Sequence, residues 1–316
     1  MKSGSEHGPL LRHGVIGVGG IGGVHCRIAS ESPDVTLTGV ADKDPDRLAG
    51  AAKQYGAEPF ADWREMVSSG RFDSVAIATP SLLHASMAIE CMEAGLHVFL
   101  EKPIALTLAD ADRVVETARA KRRVLTVGHQ YRVHRLHRTT KKLIEEGAIG
   151  RPRQILWTWA QSRDEEYYSH YPWRQNWKDA GGGVTMHSLS HDLNVLTWLI
   201  GAPVEVSALA VNQKQDAETE DFMSASVLFE GGAVATITAC VNRPQSHVVR
   251  QIAGERGMIE IPDTQSLTFD HKDRVMLGRF DTHAPPAPDG IGGLTGQPRV
   301  HWSRVPLEGD PPKWKK

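Results

Sequence analysis

From Gly14 to Gly128 short apolar runs alternate with helix-patterned segments. The runs are HGVIGVG, VTLTGVAD, SVAIATP, HVFLEKP and RVLTVGHQ. Each is brief, almost unbroken and bounded by turn residues, the pattern of strands buried on both faces. Between them lie VHCRIASES, DPDRLAGAAKQYG, HASMAIECMEAG and LADADRVVETARAKR. In the third of these Ala, Met, Ile and Cys recur at helical spacing. The fourth opens with Asp and closes with Lys and Arg, as a helix dipole favours. Strand, helix, strand at these lengths requires right-handed crossovers, so the pattern predicts an α/β fold with a doubly wound parallel sheet.

Beyond Gly128 the periodicity changes. HRLHRTTKKLIEEGAIG reads as a helix ending near Gly147, and HSLSHDLNVLTWLIG as another, stopped by Gly201 and Pro203. Longer, alternating runs dominate the rest: RQILWTWAQS, PVEVSALAVNQ, DFMSASVLFEGGAVATITACVN and VVRQIAGERGMIEIP. FEGGA marks a hairpin, with Gly-Gly between two strand runs. These segments predict an α+β unit with a mostly antiparallel open sheet. The Pro- and Gly-rich stretch from Ala284 to Pro298 reads as loop. The expected division is a flexible tail over 1–12, a first domain over 13–128 and a second over 129–316.

The length of 316 residues suits two cores better than one. With 36 basic and 38 acidic side chains there is no basic excess to attract a polyanion, which argues against nucleic acid. No apolar stretch is long enough for a membrane span. Cys26, Cys91 and Cys240 are odd in number and scattered, a pattern of reduced thiols that fits the cytoplasm.

The first apolar run leads into Gly17-Val18-Gly19-Gly20-Ile21-Gly22, a G-x-G-x-x-G turn opening a helix. Gly17 makes the tight turn, Gly19 lets backbone approach a pyrophosphate, and Gly22 lets helix and strand pack closely. The helix N-terminus then offers N–H groups to the phosphates. Asp42 lies 20 residues past Gly22, at the end of the second run, where its carboxylate can accept from a ribose diol. Together they predict a Rossmann domain for a nicotinamide dinucleotide. Asp42 favours NAD, because a carboxylate repels a 2′-phosphate; the adjacent Lys43 keeps NADP open.

Five pieces, the glycine turn among them, fall in order: GVIGVGGIGGVH, ATPSLLH, LHVFLEKPIALT, GHQYRVH with LIEEGAIGRP, and PWRQNWKDAGGG followed by HD and WLIG. In these the chain resembles the glucose–fructose oxidoreductase/inositol dehydrogenase (Gfo/Idh/MocA) family. The resemblance implies an NAD(P)-dependent dehydrogenase acting on a secondary alcohol of a sugar, polyol or related cyclic compound, in a homo-oligomer (dimer or tetramer). It implies that Lys102, in Glu101-Lys102-Pro103, sits beside the nicotinamide and the reacting oxygen, and that His191 is the general acid/base. Thr79, Pro80 and His84 match the family's cofactor-side turn after the third run, and Glu101 and Gln130 join the cofactor set. Arg132, Trp173 and Arg174 match substrate-side positions with His191.

Two departures stand out. His187 occupies the place where the family carries an acid four residues before the His, so His187 joins the catalytic set, Asp192 substitutes for the acid, or the chemistry is altered. Asn194 also replaces a usual acid. Two His at i, i+4 are a metal-like spacing, but no third ligand follows and no metal is expected. His134 and His137 read as structural. The chain also finishes in VPLEGDPPKWKK, without the long final helix usual in the family. The competing readings are an NAD-retaining glycosidase or epimerase and a non-catalytic nucleotide-binding sensor.

Overall fold

A computed structural model describes residues 10–213, 216–262, 275–281 and 299–307. The predicted loop at 284–298, most of the predicted tail and the last nine residues lie outside these. The chain divides into two compact units. One comprises residues 1–129 with Asn176–Gly181; the other comprises Gln130–Gln175 with the residues from Gly182 onward. The short segment Asn176–Gly181 thus belongs with the first unit, which a single cut near residue 128 does not describe.

The first unit is a six-stranded parallel sheet in the order β3-β2-β1-β4-β5-β6. Its strands are β1 (Leu11–Ile16), β2 (Val35–Ala41), β3 (Glu58–Phe60), β4 (Ser74–Ile77), β5 (His97–Leu100) and β6 (Leu125–Val127). Its helices are α1 (Gly20–Glu31), α2 (Pro45–Tyr55), α3 (Trp63–Ser68), α4 (His84–Glu93) and α5 (Leu108–Lys121). Successive residues of β1 serve opposite layers: Val15 packs with Val40 and Cys26, Ile16 with Ile77 and Met92. Both faces are therefore covered, as the unbroken apolar runs required. Sequence reading missed β3 and α3. EPF is too short to show a period, and its Pro59 masks a strand at the sheet edge. Strand β1 starts at Leu11, inside the stretch assigned to the tail. Asp44 caps α2 by accepting from the Asp46 and Arg47 N–H groups, with Pro45 beginning the helix and Gly56 (φ 65°) ending it.

The second unit holds an eight-stranded sheet in the order β14-β13-β12-β11-β7-β10-β9-β8. The strands are β7 (Pro152–Ser162), β8 (Pro203–Val211), β9 (Phe222–Phe229), β10 (Val234–Cys240), β11 (Asn242–Gly254), β12 (Gly257–Glu260), β13 (Val275–Asp281) and β14 (Arg299–Val305). Only β7 and β10 pair in parallel; the other neighbours are antiparallel. The FEGGA hairpin forms as expected, with Gly232 at φ 80° and its N–H donating to the Phe229 carbonyl. The helices are α6 (Arg135–Glu145), α7 (Glu165–His170) and α9 (Ser190–Ile200); α8 (Trp177–Ala180) lies in the first unit's inserted segment. Leu136 and Leu143 of α6 and Val195, Leu196 and Leu199 of α9 join Ile155, Trp157 and Ile237 of the sheet in one core. The opposite face carries Leu156, Thr236, Ser226 and Ser207 in one cross-strand row. Leu156 there is 37% exposed, so this face is left open.

Candidate active site

In the first unit the candidate residues gather at the C-terminal ends of the strands. The glycine turn follows β1 and the Thr79–Pro80 turn follows β4, the two strands between which the sheet order reverses. This switch point is where open α/β sheets bind ligands. Gly17 has φ 84°, and a Cβ there would lie 2.8 Å from the Ala78 carbonyl oxygen. A Cβ on Gly22 would lie 1.8 Å from the Gly17 oxygen, so only glycine permits this approach. Helix α1 has no side-chain cap at Gly19 and no acid in its first turn. Its first N–H groups are left without a capping side chain, and the positive end of the helix is not neutralised.

Asp42 reaches the same turn: Oδ2 accepts from Val18 N at 2.8 Å and Oδ1 from Asp44 N at 2.9 Å. Each oxygen keeps lone pairs for a ribose hydroxyl. These features fit a dinucleotide: pyrophosphate against the α1 N-terminus, ribose at Asp42. Arg47, on α2, places Nη1 3.1 Å from where a Gly19 Cβ would stand. No spacing in the chain pointed to a cation from α2 near the turn.

His84 is buried, with Nδ1 2.7 Å from the Pro103 carbonyl and Nε2 2.9 Å from that of Thr79. Both nitrogens face protein carbonyls, so His84 braces the Thr79 turn against the Glu101–Pro103 turn. Burial pushes its pKa down. Glu101 accepts from Lys102 N at 3.3 Å and lies 2.9 Å from His25 Nε2 of α1. His25 was not anticipated; it is 76 residues from its partner, and no local spacing announces such a pair. The Lys102–Pro103 peptide is cis. Lys102 follows β5, half-buried, at the same sheet end.

In the second unit His191 lies in the first turn of α9 and is 9% exposed. Its ring stacks on Tyr131 (centroids 4.8 Å apart), whose other neighbour is His137 at 5.5 Å. His137 is wholly buried, and desolvation takes its pKa down to about 3, so it is neutral and structural. His187 lies in a π-helical turn, Thr185–Leu189, with Trp173 edge-on at 5.1 Å. Gly183 permits this turn: a Cβ there would lie 1.9 Å from the Glu220 carbonyl oxygen. The Glu220 carboxylate in turn accepts from Gly183 N and Thr185 N at 2.7 and 3.0 Å.

Asp192 does not take over as partner of His191. Its Oδ1 accepts from Trp157 Nε1 at 2.7 Å and Arg250 Nε at 3.0 Å, and its Oδ2 is buried with no hydrogen-bond partner. Its side chain points into the core, so that substitution is withdrawn. Asn194 accepts from Arg132 Nε at 2.6 Å, so part of the Arg132 fork is held within the protein. Gln130 is exposed in a 3₁₀ turn, Gln130–Val133. Arg174 lies against Tyr171, Tyr167 and Trp173, with its guanidinium carbon 4.6, 4.8 and 5.0 Å from the three ring centres. Among the described residues no cluster of three or more His, Cys, Asp or Glu could hold a metal ion. No described helix is long and apolar enough to cross a membrane.

A parallel sheet in 3-2-1-4-5-6 order, a bare helix N-terminus behind a glycine turn and an aspartate on that turn define an NAD-binding oxidoreductase fold. Two family models match: the oxidoreductase family, NAD-binding Rossmann fold, over residues 11–129, and the GFO/IDH/MocA C-terminal domain over residues 137–260. The chain is 30% identical over 255 residues to an inositol 2-dehydrogenase of Rubrobacter xylanophilus, covering 79% of this chain and 70% of that enzyme. It is 31% identical to a myo-inositol 2-dehydrogenase of Thermotoga maritima, covering 62% of this chain and 56% of that enzyme. Among solved structures, the WlbA dehydrogenase from Bordetella pertussis in complex with NADH and UDP-GlcNAcA superposes with a TM-score of 0.77. That match has 31% identity and covers 80% of this chain and 79% of the other. The chain belongs to the Gfo/Idh/MocA oxidoreductase family.

Proposed function

We propose that the protein oxidises a secondary alcohol of a sugar, polyol or related ring compound, passing hydride to NAD⁺. The observation that carries this reading is the C-terminal end of the first unit's sheet. It presents the uncapped α1 N-terminus, Asp42 and Lys102 at the ends of β1, β2 and β5. The dinucleotide supplies the hydride acceptor. The chain supplies the rest: Gly17, Gly19, Gly20, Ile21 and Gly22 seat the phosphates by backbone, and Asp42 holds the ribose. Thr79, Pro80, Glu101 and Gln130 shape the nicotinamide side, and His84 braces that wall.

As the carbinol C–H leaves as hydride, the hydroxyl proton must go to a base. In this reading His191 accepts it and the Lys102 ammonium steadies the oxygen as charge develops. Arg132, Trp173 and Arg174 bind substrate, and His187 assists without the negative charge of an acid. The second domain is the substrate-binding and oligomerisation domain. Its open sheet face is the surface for a dimer or tetramer, and the cytoplasm is the expected compartment.

Asp42 favours NAD, while Arg47 and Lys43 could meet a 2′-phosphate, so titration with both coenzymes belongs in the first experiment. The experiment is an absorbance screen for NADH formation against polyols and sugars, with Lys102→Ala as control. Turnover that survives the substitution would falsify the mechanism. Tightly held cofactor with product but no free NADH selects the NAD-retaining glycosidase or epimerase. The orientation of Asp192 away from His191 favours weighing a nucleotide-binding sensor, which predicts NAD binding with no turnover of any alcohol.

A further inference from the structure

Helix α1 does more than present its N-terminus to a pyrophosphate. Its close approach at Gly22 brings the helix hard against the strand ends, and His25 follows within one turn. The His25 ring packs on Phe99 of β5, with centroids 5.0 Å apart. Nε2 reaches Oε1 of Glu101, the residue just past β5, at 2.9 Å. The two side chains are 15% and 12% exposed. A carboxylate oxygen accepts and does not donate, so Nε2 carries the hydrogen.

Glu101 is held on two further sides. Oε2 accepts from Lys102 N at 3.3 Å. The carboxylate also rests on Gly128, just past β6: a Cβ there would stand 3.2 to 3.3 Å from Oε1, Cδ and Oε2, so a larger residue would press on all three atoms. His25 thus ties the helix behind the glycine turn to the strand end that carries Lys102.

The consequence is electrostatic. Asp42 takes a ribose on the β2 side of the switch point, so the other half of a dinucleotide lies on the β4–β5 side. There the Lys102 ammonium stands beside a nicotinamide that is cationic in NAD⁺ and neutral in NADH. Two like charges at close range repel. Glu101 brings the opposite sign to the same spot, since Glu101 and Lys102 act in opposite senses on the one buried His84 ring. A carboxylate offsets a cation best when it is fixed in a partly buried place; turned out to water, it is screened.

We propose that His25 is a positioning residue of the cofactor site, holding the Glu101 carboxylate where it favours the oxidised, cationic nicotinamide over the reduced one. This rests on the proposed seating of the nicotinamide beside Lys102 and Glu101, and not on which alcohol is oxidised. Without the His25 contact the carboxylate is free to swing toward water, and the preference of the site shifts toward NADH.

The test uses the whole protein and needs no substrate. NADH is titrated by its fluorescence, NAD⁺ by competition against NADH, and thermal melts accompany each variant. The readout is the ratio of the two dissociation constants, which a general loosening of the site leaves unchanged. Glu101→Gln should move the ratio about tenfold toward NADH, and His25→Leu about three- to tenfold the same way. His25→Gln, whose amide N–H can reach the same oxygen, should restore most of the wild-type ratio. Gly128→Ala, which presses on the carboxylate and changes neither His25 nor Lys102, should move it in the direction of His25→Leu. In a Glu101→Gln background, His25→Leu should add nothing, because His25 acts through the carboxylate. An unchanged ratio in His25→Leu, an equal weakening of both coenzymes, or a further shift in the Glu101→Gln background overturns the proposal. The expected shifts without turnover of any alcohol support it and remove the dehydrogenase reading. A wild type that binds neither coenzyme overturns both.

Discussion

Asp192→Leu isolates the energetics beneath the second unit's site. Asp192 and Arg250 form an ion pair with both side chains 1% exposed, Nη2 to Oδ1 at 2.9 Å. Trp157, 0% exposed, donates its indole N–H to the same oxygen at 2.7 Å. Removing the carboxylate deprives the buried Arg250 guanidinium of its Asp192 ion pair, which costs about 3–5 kcal/mol. The orphaned indole N–H adds about 1–3 kcal/mol, partly overlapping the first figure. A loss on the order of 5 kcal/mol removes a third or more of a typical stability of about 5–15 kcal/mol. Asp192→Leu combined with Arg250→Met removes both charges, and replacing a whole buried pair by apolar groups is often near neutral. Wild-type Asp192 also leaves Oδ2 unbonded, which lowers what the pair contributes. The expected order of stability is therefore wild type, then the double variant, then Asp192→Leu. The measurement is urea unfolding by tryptophan fluorescence, with separate transitions fitted if the two units melt apart. A loss under about 1 kcal/mol in Asp192→Leu, or a double variant no better than the single, would refute the argument.

Three other outcomes are expected. Gly22→Ala puts a methyl 1.8 Å from the Gly17 oxygen and should weaken NADH binding at least about tenfold, whereas Gly23→Ala, whose nearest neighbour is 3.8 Å away, should not. Fluorescence titration of NADH compares them, and equal affinities would undercut the turn's role. Lys102→Met should lower kcat by about 10²-fold or more with NADH affinity nearly kept, in a steady-state assay on whichever alcohol the screen identifies. Burial holds His137 near 3 and His13 near 4, against 6.5 unfolded, so the unfolded chain binds protons that the native state refuses. Stability is full above pH 6.5 and falls as pH drops toward 4, by about 1.4 kcal/mol per unit for each histidine. Moving from pH 7 to 5 should cost His137→Asn about 2 kcal/mol less than wild type by urea midpoint; an equal loss would clear His137 of the effect.

What could be read from the chain depended on whether the cause was local. The glycine turn and Asp42 were legible because one strand, one turn and one helix fix their relation. The strands of the first unit were legible because burial on both faces leaves an unbroken apolar run, as in Val15 and Ile16. Strand β3 was not, since three residues including a proline carry no period. The Asp192–Arg250–Trp157 cluster was invisible for another reason. Its members lie on α9, β11 and β7, brought together by register between strands 93 residues apart at Trp157 and Arg250. No spacing in the sequence encodes that register, although a lone Asp amid the apolar residues of α9 was a signal that some buried cation must face it. The same holds for Glu220 beneath Gly183: nothing beside the triple glycine in sequence names the residue 37 positions on that approaches it.

The departures from the family pattern converge on one stretch, and the geometry narrows what they mean. Three positions bear on negative charge near His191, and two of them hold no acid. His187 replaces the acid, Asn194 is engaged by Arg132, and Asp192 faces Arg250 in the core. The His191 ring does make a flat contact, with Tyr131 at 4.8 Å and 24° between the planes, itself backed by neutral His137. A stacked aromatic ring fixes orientation as well as a carboxylate can, but lends an imidazolium far less electrostatic support. The position has therefore exchanged charge for packing.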